Sequence, residues 1–205
     1  YVGICKDATI AEGKPYPNEK PIVYYGSSIT HGACASRPGN CYENILSRTL
    51  DCDFLNLGFS GSAKGETAMM KYIASLDMSV FVYDYDYNAP SAEHLEKTHY
   101  AGYRTVREAQ PDLPIIMMSR PKPLSMLCDW EIERREVIRT TYENARARGD
   151  RNVYFIDGSP ASAYKFKQAN PDAHVVATGN ATVGGGWRRL PNYYAMRDIL
   201  GMHYM

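Results

Sequence analysis

Five short apolar runs punctuate the chain: PIVYY at Pro21 to Tyr25, FLNL at Phe54 to Leu57, VFVYDY at Val80 to Tyr85, IIMM at Ile115 to Met118 and VYFI at Val153 to Ile156. Each is continuous rather than alternating and rich in β-branched and aromatic residues, which is how strands covered on both faces read. Helix-like stretches lie between them, near residues 41–50, 65–76, 91–109 and 129–148. A chain that alternates strand and helix throughout has few ways to bury itself. The order predicts an α/β domain, a three-layer α/β/α sandwich with a central parallel sheet of about five strands.

Start and stop signals agree. Ser91 is placed to cap the helix that follows, with His94 where a capping box would put Glu or Gln, and Pro111 closes that helix. Asp129 is expected to open the helix over WEIERREVIRTTYENARARG, which ends at Gly149. The charges of that helix recur at helical spacing and predict an exposed face. Residues 1–20, with Pro15 and Pro17, are expected to form an extended lead-in, and residues 21–205 a single domain. The chain contains no internal repeat and no low-complexity tract.

Lys plus Arg and Asp plus Glu both number 23, with no basic stripe, so nucleic acid and anionic membrane surfaces are not expected partners. No apolar run approaches the roughly 18 to 20 residues needed to cross a bilayer, and no basic segment followed by an apolar one opens the chain. A soluble protein acting on a small molecule is the expectation, with the compartment left open. The five cysteines show neither CxxC nor Cys/His metal spacing, and are expected to be ordinary thiols. Asp84, Asp86 and Asp157 stand at strand ends, where carboxylates cap helices or pair with Lys and Arg; no metal and no cofactor is expected.

In an open parallel sheet, ligands bind where the loops after the strands converge. GSSITHGACASRPGN, residues 26–40, follows the first strand and could present the Ser28 hydroxyl on a tight strand-to-helix turn, or simply make a turn and a cap. GFSGSAKGE, residues 58–66, follows the second and could turn the Gly61 N–H toward an oxyanion, or use its glycines for geometry alone. DYDYNAP, residues 84–90, follows the third and delivers Asn88, an oxyanion donor or a helix cap. Arg37 and Lys64 lie close to the first two loops and are either ligands for an anionic part of a substrate or solvated charges. SRPKP, residues 119–123, either rims the pocket or ends the fourth strand.

Taken together, YYGSSITHGACASRPG, NLGFSGSAKGE and DYDYNAPSAEHLEKTH resemble successive blocks of the SGNH, or GDSL-like, hydrolases. The resemblance runs on through PDLPIIMMSRPKP and GDRNVYFIDG, from about residue 15 to residue 170. It implies a flavodoxin-like sandwich and ester hydrolysis through an acyl-enzyme. Ser28 would be the nucleophile, and the N–H groups of Ser28 and Gly61 with the Asn88 side chain would form the oxyanion hole. Ser27 stands where the family motif often has Asp. Members often carry an additional N-terminal β domain, which leaves room for a longer parent chain.

A serine hydroxyl needs a base. The family takes it from an Asp-x-x-His-Pro block ahead of the last helix, and TVGGGWRRLPNYYAM, Thr182 to Met196, keeps the flanks of that block. Gly184 stands at the Asp position and Trp187 at the His position. Glycine has no side chain, and an indole N–H only donates. Three explanations stay open. The chain is a silent relative whose pocket binds a sugar or carboxylate, with Trp187, Arg188 and Arg189 as stacking face and anion donors. It recruits another histidine, from among His31, His94, His99, His174 and His203. Or the interior of the block is locally scrambled. The expected ligand is a small ester, among which acetyl esters of carbohydrate are one candidate, or a bound carbohydrate.

Overall fold

The computed structural model describes residues 3–33, 35–120 and 127–158 of the 205-residue chain. In chain order its elements are β1 (Ile22–Gly26), α1 (Ser28–His31), α2 (Tyr42–Leu50), β2 (Phe54–Gly58), α3 (Thr67–Ala74), β3 (Val80–Asp84), α4 (Ala92–Ala109), β4 (Ile115–Met118), α5 (Asp129–Ala147) and β5 (Val153–Ile156). Single 3-10 turns add Pro38–Asn40 and Asp86–Asn88. All strand pairs are parallel, in the order β2-β1-β3-β4-β5. The predicted α/β sandwich with a five-stranded parallel sheet is the observed fold.

Two cores follow from the pleat, which sends successive side chains to opposite faces. Val23, Tyr25, Phe81, Tyr83, Ile115 and Met117 meet α3, α4 and α5 through Met70, Ile73, Leu95, Val106 and Ile138. Ile22, Tyr24, Val80, Val82, Ile116 and Met118 face the other way, against Ile29 of α1 and Tyr42 and Leu46 of α2. Burying each such side chain contributes about 1.5 to 3 kcal/mol before chain entropy is counted, so these two faces dominate the drive to fold.

The caps refine the expectations. Ser91 Oγ accepts from His94 N at 3.1 Å, as expected. The cap of α5 is Cys128 rather than Asp129: Glu131 Oε2 reaches back to accept from Cys128 N at 2.9 Å. The expected exposed charged face of α5 also needs correcting. Glu131, Arg134 and Arg135 are buried: Glu131 pairs with Arg120, Arg135 with Asp157, and Arg134 donates to the main-chain carbonyls of Asp86 and Pro90. At the amino edge of the sheet, Arg107 ties α4 to the starts of β4 and β5. Its Nε donates to Asp150 at 2.8 Å, and its terminal nitrogens donate to the carbonyls of Gln110, Pro111, Leu113 and Asn152.

Candidate active site

β1 has β2 on one side and β3 on the other, so the connections leaving β1 and β3 diverge and open a crevice at their carboxyl ends. The segments carrying Ser28, Gly61 and Asn88 all leave this edge of the sheet.

The two adjacent serines have different fates. Ser27 is completely buried and caps α1, its Oγ accepting from Ile29 N at 3.2 Å. Ser28, the first residue of α1, is half-buried, and among the described residues its hydroxyl has no hydrogen-bond partner. The turn can sit this close to the sheet because β2 ends in glycine. A Cβ at Gly58 would lie 2.2 Å from His31 N and 2.6 Å from His31 Cα.

One main-chain unit joins the three loops. Phe59 N donates to Gly26 O at 2.9 Å, tying the second loop to the strand end that leads into Ser28. Phe59 O accepts from Ser62 N, from Ala63 N and, at 2.7 Å, from Asn88 Nδ2, tying the third loop to the second. An amide nitrogen carries two hydrogens, so this bond fixes the plane of the Asn88 carboxamide and leaves one N–H to donate elsewhere. Gly61 lies inside the tightened loop at φ +71°, the left-handed region that favours glycine. It is exposed, and none of the described residues accepts its N–H.

Beneath the second loop, Tyr25 OH donates to Glu66 Oε2 and accepts from Gly65 N, both at 2.9 Å. Burial above all raises the Tyr25 phenol well beyond its ordinary value, so it stays a neutral donor. Lys64 N donates to the same Glu66 oxygen, and Lys64 O pairs with His94 Nε2 at 2.8 Å.

Lys64 thus belongs to the second loop through its main chain, and Arg37 is exposed at the start of the Pro38–Asn40 turn. Trp187 and Gly184 lie outside the described residues. Of the candidate bases, His94 is engaged with Lys64 O and His99 is a core residue. His99 is 1% exposed and stacked on Tyr83 with ring centroids 4.5 Å apart; burial pushes it down to about 3. His31 is exposed at the end of α1, and His174 and His203 lie outside the described residues.

Two of the three strand-end carboxylates pair with arginines, while Asp84 Oδ2 accepts from Thr30 Oγ1 at 3.4 Å. Asp157 meets Arg135 and, at 3.6 Å, Arg139, while Asp86 meets Arg120. No group of three or more metal-type side chains gathers among the described residues. Two residues that tie these loops carry no functional signal in the sequence. Phe59 acts through its main chain, which leaves no trace in residue identity. Arg120 stood in plain view within SRPKP, but nothing in the sequence names its partner.

The profile of the GDSL-like lipase/acylhydrolase family matches residues 19–181. The chain belongs to this family. Among solved structures, this GDSL-like chain is similar to a Bacteroides ovatus protein described as a GDSL-like lipase, with 29% identity over 98% of this chain and 56% of that one, and a TM-score of 0.68. A salicylyl-acyltransferase from a tetracycline biosynthetic pathway shares 19% identity over 91% of this chain and 53% of its own, with a TM-score of 0.62. A family two carbohydrate esterase from Clostridium thermocellum, in complex with cellohexaose, shares 15% over 96% and 68%, with a TM-score of 0.60. The last two likenesses are likenesses of fold. The GDSL-like chain spans only about half the length of the first two. A comparison with curated proteins gave no match. No described helix is long and apolar enough to cross a membrane.

Proposed function

We propose that the chain is an acylhydrolase that cleaves small acyl esters through an acyl-enzyme on Ser28. The observation that carries this is the stitch at Phe59, which ties Asn88 to the loop of Gly61 and that loop to the strand end before Ser28. Ser28 Oγ attacks the ester carbonyl and its proton passes to a base. The oxyanion accepts from the N–H groups of Ser28 and Gly61 and from the second N–H of Asn88. Collapse expels the alcohol, and water then releases the acid and restores the serine. Each oxyanion donor contributes a factor of about 10² to 10³ in kcat. Acetyl esters of carbohydrate are the substrate class favoured by the fold likeness to a carbohydrate esterase. Arg37, Lys64 and Trp187 are the residues proposed to contact the rest of the substrate.

A second possibility, a binding domain that keeps the pocket without turnover, is favoured by the fates of the histidines. His94 and His99 are committed elsewhere, and Gly184 and Trp187 stand where the family has its Asp and His. Losing the base lowers kcat by on the order of 10⁴ to 10⁶.

The test is incubation of the full chain with p-nitrophenyl acetate and with a serine-directed phosphonate, beside Ser28→Ala. Turnover and a phosphonate adduct, both lost in the variant, are the expected result for an acylhydrolase. Neither signal in the parent chain would leave the binding domain. Gly184→Asp combined with Trp187→His then raises turnover by orders of magnitude if the base is all that is missing.

A further inference from the structure

Four charged side chains are buried beneath the third loop: Asp86, Arg120, Glu131 and Arg134. Arg120 follows β4 and is 4% exposed. Its main-chain N and its Nε donate to Asp86 Oδ2 at 3.0 and 3.1 Å, and Nη2 donates to Asp86 Oδ1 at 3.2 Å and to Asp86 O at 3.4 Å. Its other arm, Nη1, donates to Glu131 Oε1 at 2.7 Å, while the second oxygen of Glu131 caps α5. The guanidinium is faced by Tyr87 at 4.5 Å and by Trp130 at 4.9 Å from the ring centroids. Arg134 completes the set, reaching Asp86 O at 3.4 Å and Pro90 O at 2.9 Å.

These bonds bracket a short piece of chain. Asp86 is held at one end and Pro90 at the other, and Asn88 lies between them. Buried ion pairs give little net stability, because desolvation offsets most of the attraction and apolar packing often does as well. What a guanidinium fork supplies is direction, since its rigid geometry fixes both the position and the rotation of the group it holds. We propose that Arg120 is a positioning residue for the candidate active site: its fork on Asp86 sets the turn so that the Asn88 carboxamide bonds Phe59 O and keeps its second N–H for the oxyanion. The catalytic half of this proposal rests on the acylhydrolase assignment of Asn88; the positioning half rests on geometry alone.

The experiment reads the Asn88 side-chain amide in ¹⁵N-labelled full-length chain, its two proton signals assigned by their loss in Asn88→Ala. In the parent chain the proton on Phe59 O is expected to exchange slowly and the pair to be widely separated. Arg120→Lys keeps the charge and loses the fork. It should collapse the pair toward the values of an exposed asparagine while backbone signals of β1 to β5 stay in place, which a general loss of structure would not allow. Should Arg120→Lys not fold, Glu131→Gln loosens the far arm and is read in the same way. An Asn88 pair unchanged in the variant that folds overturns the proposal. In the ester assay, Arg120→Lys is expected to lower kcat about tenfold with KM within twofold, and to have no further effect in an Asn88→Ala background. Full additivity of the two substitutions overturns action through Asn88. Asn88→Ala with undiminished turnover, alongside a collapsed amide pair in Arg120→Lys, would remove the oxyanion role and leave the positioning intact.

Discussion

Glu43 lies in the first turn of α2, completely buried, with neither carboxylate oxygen in hydrogen-bonding geometry with a donor. Burial is the main force that pushes its carboxyl up to about 8 from an ordinary 4.5, and the Asp84 charge pushes the same way. Below about pH 4.5 folded and unfolded chains both hold the proton and Glu43 costs nothing as a charge. Between 4.5 and 8 the unfolded chain releases the proton that the folded chain retains, so stability falls as pH rises, and above 8 the loss is complete. Glu43→Gln should therefore show a thermal-unfolding advantage over the parent that is small at pH 4.5 and grows to on the order of a few kcal/mol at pH 8. A gain independent of pH would mean the carboxyl is not held neutral. None of this is legible in the sequence, where Glu43 reads as an ordinary acidic residue in a helix's first turn. Ser28, Gly61 and Asn88, by contrast, are legible as candidates in residue order alone, because each stands in a small, glycine-rich or amide-bearing loop directly after a buried strand.

Strands were legible as apolar runs whatever their length, and helices only where they were long enough to show a period. β4 and β5 fall at the bounds expected, and the longer helices begin and end within about two residues of them. α1 and the Asp86–Asn88 turn went unseen, since three or four residues carry no periodicity to detect. Yet these short pieces carry Ser28 and Asn88. The inward charges of α5 are illegible for a different reason: spacing shows that charges share a face, but only packing shows whether that face meets water or Arg120. The close seating of α1 on β2 gives a test at this scale. Gly58→Ala would drive a methyl into the His31 main chain, which cannot yield as a flexible side chain could, so the expected cost is about 1 to 3 kcal/mol or more. The same substitution should also lower any turnover at Ser28 by tilting α1. Chemical denaturation with unchanged midpoint would show that the turn moves freely.

At the scale of the whole sheet, among the described residues, the Arg107 network and the candidate chemistry occupy opposite edges. Arg107 knits the amino edge, far along the strands from the Ser28 loop. Arg107→Ala leaves Asp150 and four carbonyls short of a donor and should cost roughly 2 to 4 kcal/mol, read as a lower Tm, with KM for any ester unchanged. A shift in KM would show that the two edges communicate. The Phe59 link at the other edge has a consequence for divergence among relatives. Its donor and acceptor are both peptide groups, so nineteen of the twenty genetically encoded residues could occupy position 59 without severing it, proline alone lacking the hydrogen. The benzyl ring there, one-third open to solvent, is accordingly free to drift toward new ligands while the carboxamide stays moored.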